Sequence, residues 1–368
     1  MSTQALLAKF RAIAADPKGQ FRRYLEAGEK VVLCAPVYTP EELIHAMGLT
    51  PFGVWGGDLP LNKSKEYFPA FICAVMQSIL ELGIRGDYAG AQAIVIPSLC
   101  DSLKCLGQNW KYAVQDIPFV PMTYPQNRAG SVGRDFVRAG YARVAADLEK
   151  ATGAKLFEDK LAESIRVYNA HNAAMRAFDA AAAALTASDR SAVFKSAWFL
   201  RKEEHTALVN ELLDALAAEG AGEGGTPVLT SGILCDSPSL LGIFDELGFR
   251  IAADDVAAES RQYRTDAPED LPPMDALCEK FARMGLCSVL YDEDKLRAKW
   301  IVDTARARGA KGVVLVLTKF CDPEEFDAPL IRRACEAAGL PVTILEADRQ
   351  MVNYEQARTL LEAFRDVL

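Results

Sequence analysis

The sequence lacks the motifs that many nucleotide-binding and hydrolytic enzymes carry. No G-x-G-x-x-G follows a predicted strand, and no G-x-x-x-x-G-K-[ST] or G-x-S-x-G occurs anywhere in the 368 residues. Histidine is scarce as well, since His45, His171 and His205 are the only three and none lies at the spacing of paired metal ligands. We interpret His45 and His171 as ordinary helix residues. Dinucleotide, P-loop, serine-hydrolase and histidine–metal chemistry are therefore disfavoured.

An excess of positive charge and long apolar runs are also missing. The formal net charge is −9 and no basic patch is interleaved with aromatic residues, which argues against nucleic-acid binding. No apolar run approaches the length of a membrane span, and Lys9 and Arg11 interrupt the first helix, unlike the apolar core of a signal peptide. We expect a cytoplasmic protein that binds neither nucleic acid nor membranes. Its 50% hydrophobic content is enough for a sizeable core.

Nine cysteines are present, but the close C-x2-C pairs typical of structural zinc sites are not. Disulfides are rare in the cytoplasm, which leaves metal binding, redox chemistry or simple burial as roles for these thiols. For a lone cysteine on an apolar helix face, burial is the ordinary explanation, because free cysteine behaves as a small hydrophobic residue.

Three cysteines follow short apolar runs that predict buried strands, and each of the three precedes an aspartate. These pairs are Cys100-Asp101, Cys235-Asp236 and Cys321-Asp322. Because ligands of open α/β sheets bind beyond the carboxyl ends of the strands, we expect several thiols to meet in one crevice. Cys73 lies near the start of a helix predicted from Pro69 to Leu82, where the helix dipole favours the thiolate, the form that binds metals. Such thiolates suit an iron–sulfur cluster at least as well as zinc.

The alternation of strands and helices predicts an α/β protein with two similar lobes, each containing a small parallel sheet flanked by helices. We divide the chain into an N-terminal α/β lobe at 1–134, a helical connector at 135–222 and a C-terminal α/β lobe at 223–368. The run Gly220–Gly225 is the clearest linker. In the second lobe the pattern also predicts a strand at 287–290 and a helix that begins at Pro329.

Longer stretches of the sequence together resemble one protein family. They are VYTPEELIHAMGLTPFGVWGG at 37–57, YFPAFICAVMQS at 67–78, IPSLCDSLKCLGQNWK at 96–111, PQNR at 125–128, RKEEH at 201–205, TSGILCDSPSLL at 230–241, DDVAAESRQYRTDAPED at 254–270, KFCDPEEFD at 319–327 and EQARTLLEAF at 355–364. Over nearly its whole length the chain is similar to β subunits of the (R)-2-hydroxyacyl-CoA dehydratases, a family related to benzoyl-CoA reductase core subunits.

The resemblance implies one [4Fe-4S] cluster between the two lobes, held by three cysteines that correspond to Cys73, Cys100 and Cys321. No ligand role is implied for the other cysteines. We expect Cys235 to be a buried structural thiol and Cys105 to be a neighbour of the site. The remaining four are interpreted as structural, namely Cys34, Cys278, Cys287 and Cys335.

The implied reaction is loss of water from an (R)-2-hydroxyacyl-CoA to give the (E)-2-enoyl-CoA. The β-hydrogen of this thioester is not activated. In the family, an electron transferred to the thioester gives a ketyl radical, which expels hydroxide and makes the β-hydrogen acidic. The resemblance implies a homologous α subunit in a heterodimer and a separate ATP-dependent iron–sulfur activator protein. This chain would then relay an electron. We expect the helical connector and the N-terminal helices to form the partner surface, since both are rich in apolar helix faces.

Alternatives remain open within and beyond this family. Lactoyl, 2-hydroxyisocaproyl, phenyllactoyl and 2-hydroxyglutaryl thioesters are all substrates of relatives that share these motifs. A cluster-binding component of a benzoyl-CoA-reductase-like or other ATP-dependent reductase is a second hypothesis. A zinc-stabilised binding protein without catalytic activity is a third.

Overall fold

A computed structural model of the chain describes residues 1–219, 224–351 and 353–368. Most of the predicted linker at Gly220–Gly225, and with it the boundary between 222 and 223, lies outside the described residues. The division of the chain into three segments therefore stays a prediction.

The first sheet has four parallel strands in the order β2-β1-β3-β4. Their bounds are β1 Val31–Cys34, β2 Thr50–Gly53, β3 Ala93–Pro97 and β4 Phe119–Met122. Strands β1, β2 and β3 are buried along their whole length, as expected for parallel strands covered on both faces. The helices of this part are α1 Thr3–Ala15, α2 Pro17–Glu26, α3 Glu41–Ala46, α4 Ala74–Ile84 and α5 Asp101–Ala113.

Four helices without strands follow the first sheet, as the sequence predicts. They are α6 Ser131–Thr152, α7 Glu158–Ala181, α8 Ala187–Ser196 and α9 Lys202–Glu219. Helix α1 packs against α8 and α9, and α7 packs against α9. The apolar faces of α1, α7 and α9 are buried in these contacts, for example at Phe10, Phe178 and Leu212. These faces therefore complete the core of this chain, and the expectation that the helical connector and the N-terminal helices form a partner surface stays a prediction.

The second sheet repeats the order of the first, with four parallel strands arranged β6-β5-β7-β8. Their bounds are β5 Thr226–Gly232, β6 Phe249–Val256, β7 Gly312–Thr318 and β8 Val342–Ala347. The helices are α10 Pro238–Glu246, α11 Pro273–Arg283, α12 Leu296–Ala307, α13 Asp322–Ala337 and α14 Glu355–Val367. Two small parallel sheets flanked by helices confirm the predicted fold class.

Three boundaries differ from the sequence prediction. Residues 287–290 form a turn rather than a strand, because Leu290 N–H donates back to the Cys287 carbonyl at 3.0 Å. Helix α13 begins directly after Cys321, with Pro323 in its first turn and Pro329 inside the helix. Helix α4 begins at Ala74 rather than at Pro69, so that Cys73 becomes its N-cap residue.

Because the two sheets share one strand order, the turn after β3 and the turn after β7 lie at equivalent points. In each sheet the strand that comes first in the chain has a neighbour on each side. The chain connections on its two sides therefore run in opposite directions, which opens a crevice at the carboxyl ends of the strands. The turn after β3 contains Cys100, and the turn after β7 contains Cys321. Among the described residues, no helix is long and apolar enough to span a membrane.

Ion pairs and hydrogen bonds of two arginines join the two sheet regions. Arg349, which follows β8, binds Asp58 at 3.0 Å and Asp236 at 2.9 Å, and it donates to the carbonyl oxygen of Trp55 at 3.0 Å. On the other side, Arg128 donates to the carbonyl oxygen of Met284 at 2.8 Å. These contacts fix the crevice of one sheet against the crevice of the other.

Candidate functional site

Three of the nine cysteines line one cavity of about 660 Å³. Cys73 caps the start of α4, Cys100 caps α5 and Cys321 caps α13. The first two come from the region of the first sheet and the third from the region of the second, so residues of both sheet regions form the walls. The structure thus brings together the three cysteines that the resemblance implies. Their role as ligands stays a prediction.

Burial and mutual repulsion keep these thiols protonated in the metal-free chain. Burial raises the pKa of the Cys73 thiol to about 12, with a further contribution from the negative charge that Cys100 would carry. Burial also raises the pKa of Cys321, and Cys73 and Cys100 both add to that rise. The expectation that the helix start favours the Cys73 thiolate is therefore wrong for the metal-free chain, because desolvation is the larger effect.

Backbone amides of the first helical turns act in the opposite direction. The amides of Val75 and Met76 lower the pKa of the Cys73 thiol, and those of Ser102 and Leu103 lower that of Cys100, although neither side chain accepts a capping hydrogen bond. The amide of Glu324 acts likewise on the pKa of Cys321. Each sulfur therefore lies near N–H groups that would stabilise it once an electrophilic metal displaces its proton.

The arrangement suits a cluster better than a single ion. Within residues 1–219, 224–351 and 353–368, no three His, Cys, Asp or Glu side chains surround a position for one metal ion. A cluster offers a separate iron atom to each thiolate, so its ligands do not have to converge on one point. Sulfur ligands on three helix starts around a shared cavity fit such a group.

The other cysteines lie elsewhere. Cys235 is buried beside a small separate cavity whose walls include Asp236 and Arg349, so it does not join the cavity that contains the three cysteines. Cys105 is exposed on α5. The four cysteines interpreted as structural are all buried, namely Cys34, Cys278, Cys287 and Cys335.

None of the three histidines lines the cavity that contains the three cysteines. His171 and His205 are buried and hydrogen-bond to each other, with 3.0 Å between Nε2 of His171 and Nδ1 of His205. His45 lies closer to the surface, where its Nε2 is 3.0 Å from the Glu203 carboxylate. The histidines therefore have structural partners and no contact with the cysteine site.

Comparison with known proteins adds an independent observation. Residues 36–368 match the family described as 2-hydroxyglutaryl-CoA dehydratase, D-component. The match includes all three cavity cysteines, the second sheet and strands β2, β3 and β4 of the first. The chain belongs to this family.

Individual members of the dehydratase family match this chain over nearly its whole length. It is 44% identical to the (R)-phenyllactyl-CoA dehydratase beta subunit of Clostridium sporogenes, over 98% of this chain and 97% of the relative. It is 37% identical to the lactoyl-CoA dehydratase subunit beta of Anaerotignum propionicum, over 99% of both chains. It is 36% identical to the (R)-2-hydroxyglutaryl-CoA dehydratase, subunit beta, of Acidaminococcus fermentans, over the full length of both. The resemblance inferred from the sequence is confirmed.

Sequence reasoning about this dehydratase-family chain missed the charged residues beneath the site. Glu324 follows Cys321 by three residues and is buried against Arg261 and Arg297. Charged side chains in a sequence ordinarily indicate solvent exposure, so no local pattern identifies these arginines as interior residues. The only available signal is the acidic residue in the turn that follows the cysteine.

Proposed function

We propose that this chain is the β subunit of an (R)-2-hydroxyacyl-CoA dehydratase, a hydro-lyase that forms the (E)-2-enoyl-CoA. The observation that carries this proposal is 44% identity, over 98% of the chain, to a protein named as the beta subunit of such an enzyme. Two further dehydratase beta subunits match over essentially the whole chain. The dehydratase name is shared by all three, whereas the acyl group differs, so the proposal stops at the class of thioester.

The chain binds one [4Fe-4S] cluster through Cys73, Cys100 and Cys321. When bound, the cluster supplies a one-electron carrier between the two sheet regions. The support for this site is the shared cavity, the helix start at each cysteine and the affinity of iron–sulfur clusters for thiolates. Among the described residues that line the cavity, these are the only cysteines, so one iron lacks a sulfur ligand from this chain.

The chain itself contributes positioning and shielding rather than acid–base chemistry. Helix-start amides near each sulfur lower the pKa of its thiol, and the apolar cavity walls at Leu99, Val289 and Leu290 limit the access of water. The described residues place no histidine at the cavity. We assign the proton transfers of the elimination to a homologous α subunit that presents the acyl thioester, and an ATP-dependent iron–sulfur activator provides the electron that this chain relays.

Exposed aromatic residues near the cavity are better candidates for the partner surface than the buried helix faces. Phe326 and Tyr291 line the cavity and are 79% and 57% exposed, and Phe71, two residues before Cys73, is 71% exposed. Aromatic side chains are enriched in protein interfaces. We place the contact with the α subunit at this mouth, where it would cover the cluster.

The cluster site is tested by single substitutions in the anaerobically purified chain. Cys321→Ala should lose most of its iron and acid-labile sulfide, because one of three ligands is removed, and Cys73→Ala and Cys100→Ala should behave alike. The matched control is Cys278→Ala, which removes a buried thiol on α11 outside the cavity and should leave both quantities unchanged. Full iron content in Cys321→Ala would rule out this ligand set.

The activity is tested by an assay with a panel of (R)-2-hydroxyacyl-CoA thioesters. The chain, its α subunit and the activator with ATP should release water from at least one member of the panel. The reconstituted chain alone, with activator and ATP, should show no turnover, because the α subunit presents the acyl thioester. Turnover without the α subunit would contradict the relay role, and the absence of dehydration in every combination would contradict the enzyme class.

A further inference from the structure

Cys100 and Cys321 occupy equivalent positions in the two sheets but have different surroundings. Each follows the third strand of its sheet and caps the next helix. Three residues after Cys100 lies Leu103, which is buried among apolar side chains. Three residues after Cys321 lies Glu324, which is equally buried but charged. The two cysteines are therefore supported by different interactions.

The Glu324 carboxylate accepts hydrogen bonds from three side chains. It accepts hydrogen bonds from Nη1 of Arg261 at 3.1 Å, from Nη2 of Arg297 at 2.7 Å and from the Ser288 hydroxyl at 2.7 Å. Its own backbone amide donates to the carbonyl oxygen of Cys321 at 3.0 Å. One residue thus connects the turn that holds the cysteine to two buried guanidinium groups.

The two arginines are in turn fixed to the carboxyl end of β6. Asp255 in that strand accepts from Nε of Arg297 at 2.7 Å and from Nη2 of Arg261 at 3.0 Å. Arg297 also binds Asp327, one turn further along α13, at 2.9 Å. The first turn of α13 is therefore attached to a neighbouring strand by several charge-assisted hydrogen bonds, which are among the stronger contacts in proteins.

The first turn of α5 has no comparable attachment among the described residues. Asp101 is almost completely exposed and pairs only with Lys104, which is also exposed, at 3.0 Å. Exposed pairs of this kind contribute little to stability. Cys100 is itself more exposed than Cys321.

We propose that Glu324, held by Arg261 and Arg297, is a positioning residue that fixes Cys321 in its ligand geometry before the cluster is bound, whereas Cys100 is the less constrained ligand. This inference rests on the proposed cluster site. Buried charges are costly to desolvate, and hydrophobic residues of similar volume often give equal stability. Such a network is better explained by the need to hold a ligand in place.

The test uses Glu324→Gln, which keeps the shape of the side chain and removes its charge. In the cluster-loaded chain, a ferrous-iron chelator should remove iron about 10- to 100-fold faster than from the wild type, the usual range for loss of a residue that supports a metal ligand. The matched control is Arg332→Gln, which breaks an exposed pair with Glu336 on the same helix and should leave the rate unchanged.

A second measurement separates positioning from general loosening of the fold. In the metal-free chain, alkylation of each cysteine is followed by mass spectrometry. Glu324→Gln should speed the alkylation of Cys321 but not that of Cys335, which is buried on the same helix, and the rate at Cys100 should be the same in both proteins. Equal acceleration at Cys335 would indicate a purely structural role and would overturn the proposal.

Further outcomes distinguish this proposal from the cluster assignment. If Cys321→Ala keeps its iron, the ligand set itself is wrong. If Cys321→Ala loses iron but Glu324→Gln keeps wild-type release and alkylation rates, only the positioning role is wrong. If Glu324→Gln does not fold, Arg297→Lys takes its place, since lysine keeps the positive charge but lacks the planar guanidinium group that spans Asp255, Glu324 and Asp327. Wild-type rates of iron release and Cys321 alkylation in folded Arg297→Lys would overturn the proposal.

Discussion

The buried histidine pair makes the free energy of unfolding depend on pH. Nε2 of His205 lies 3.0 Å from the carbonyl oxygen of Val193, which can only accept, so His205 donates from Nε2. Its Nδ1 is then free to accept from Nε2 of His171 at 3.0 Å. Both rings are neutral in this arrangement. Burial, with the charge of Lys202, lowers the pKa of His205 to about 3, and burial lowers that of His171 well below its ordinary value.

The free energy of unfolding should therefore fall as the pH decreases below about 6.5. Histidine in an unfolded chain has a pKa of about 6.5, so the unfolded chain binds protons more readily than the folded chain from there down to about pH 3. The slope is at most about 1.4 kcal/mol per pH unit for each histidine. Urea midpoints measured between about pH 7.5 and about pH 4.5 give this slope.

Substitution of one histidine isolates its contribution to the pH dependence. His205→Gln keeps hydrogen-bonding groups but does not titrate, so its slope should be smaller than that of the wild type. Ser196→Ala is the control, because it removes a hydroxyl that lies 3.0 Å from Nε2 of His205 and keeps both histidines. A slope that is the same in His205→Gln and the wild type would show that this pair does not control acid stability.

At the scale of elements, the contact between β5 and β7 depends on a glycine. These strands pair in parallel, with Gly232 opposite Val316. A Cβ atom at Gly232 would lie 2.2 Å from the carbonyl oxygen of Val316, and this oxygen belongs to the backbone and cannot move aside alone. Gly232 thus permits close approach of the two strands whose following turns contain Cys235 and Cys321.

Gly232→Ala should lower the free energy of unfolding by about 1–3 kcal/mol, the usual effect of inserting a methyl group into a packed interior. Gly242→Ala on α10 is the matched control, since nothing lies within 4 Å of the added Cβ. Alanine favours helix, so this control should be as stable as the wild type or slightly more stable. Urea unfolding compares the two variants, and equal midpoints would contradict the packing argument.

At the scale of the whole molecule, the cavity that contains the three cysteines exists only because the two sheet regions face each other. Lys195 and Arg349 hold Asp236 at 2.8 and 2.9 Å, and they keep the pKa of this buried carboxyl well below its ordinary value, although burial opposes them. Arg349 also reaches Asp58 of the first region. This contact lies beside the cavity that contains the three cysteines and joins the two regions that supply them.

The bound cluster should be sensitive to oxygen. In the proposed cluster one iron lacks a cysteine of this chain, and exposed Tyr291 and Phe326 show that the cavity opens to solvent when no partner covers it. Iron content and visible absorbance of the loaded chain should decline within hours in air, and more slowly in the complex with the α subunit. Iron and absorbance that stayed constant in air would be inconsistent with a three-cysteine cluster.

Local patterns in the sequence were sufficient for much of the fold. Apolar runs such as Ala93–Pro97 and Gly312–Thr318 are strands because short β-branched stretches without polar alternation are stable only when both faces are covered. The long helical middle follows from helix-forming residues without strand signals. The turn at 287–290 was mistaken for a strand because a short apolar run can also be buried in a turn between helices, and periodicity does not distinguish these cases.

The sequence by itself determined the family and the class of fold, because motifs and strand patterns are local features, and the resemblance to that family implied the three candidate ligands. Only the tertiary structure decided which cysteines share a cavity. Cys100, Cys235 and Cys321 have the same local pattern, but Cys235 lies beside a different cavity near Arg349. Tertiary packing also decided the protonation of the thiols and the burial of Glu324 with its arginines. Desolvation and charge pairing depend on what surrounds a residue in space, and neighbours distant in sequence supply those surroundings.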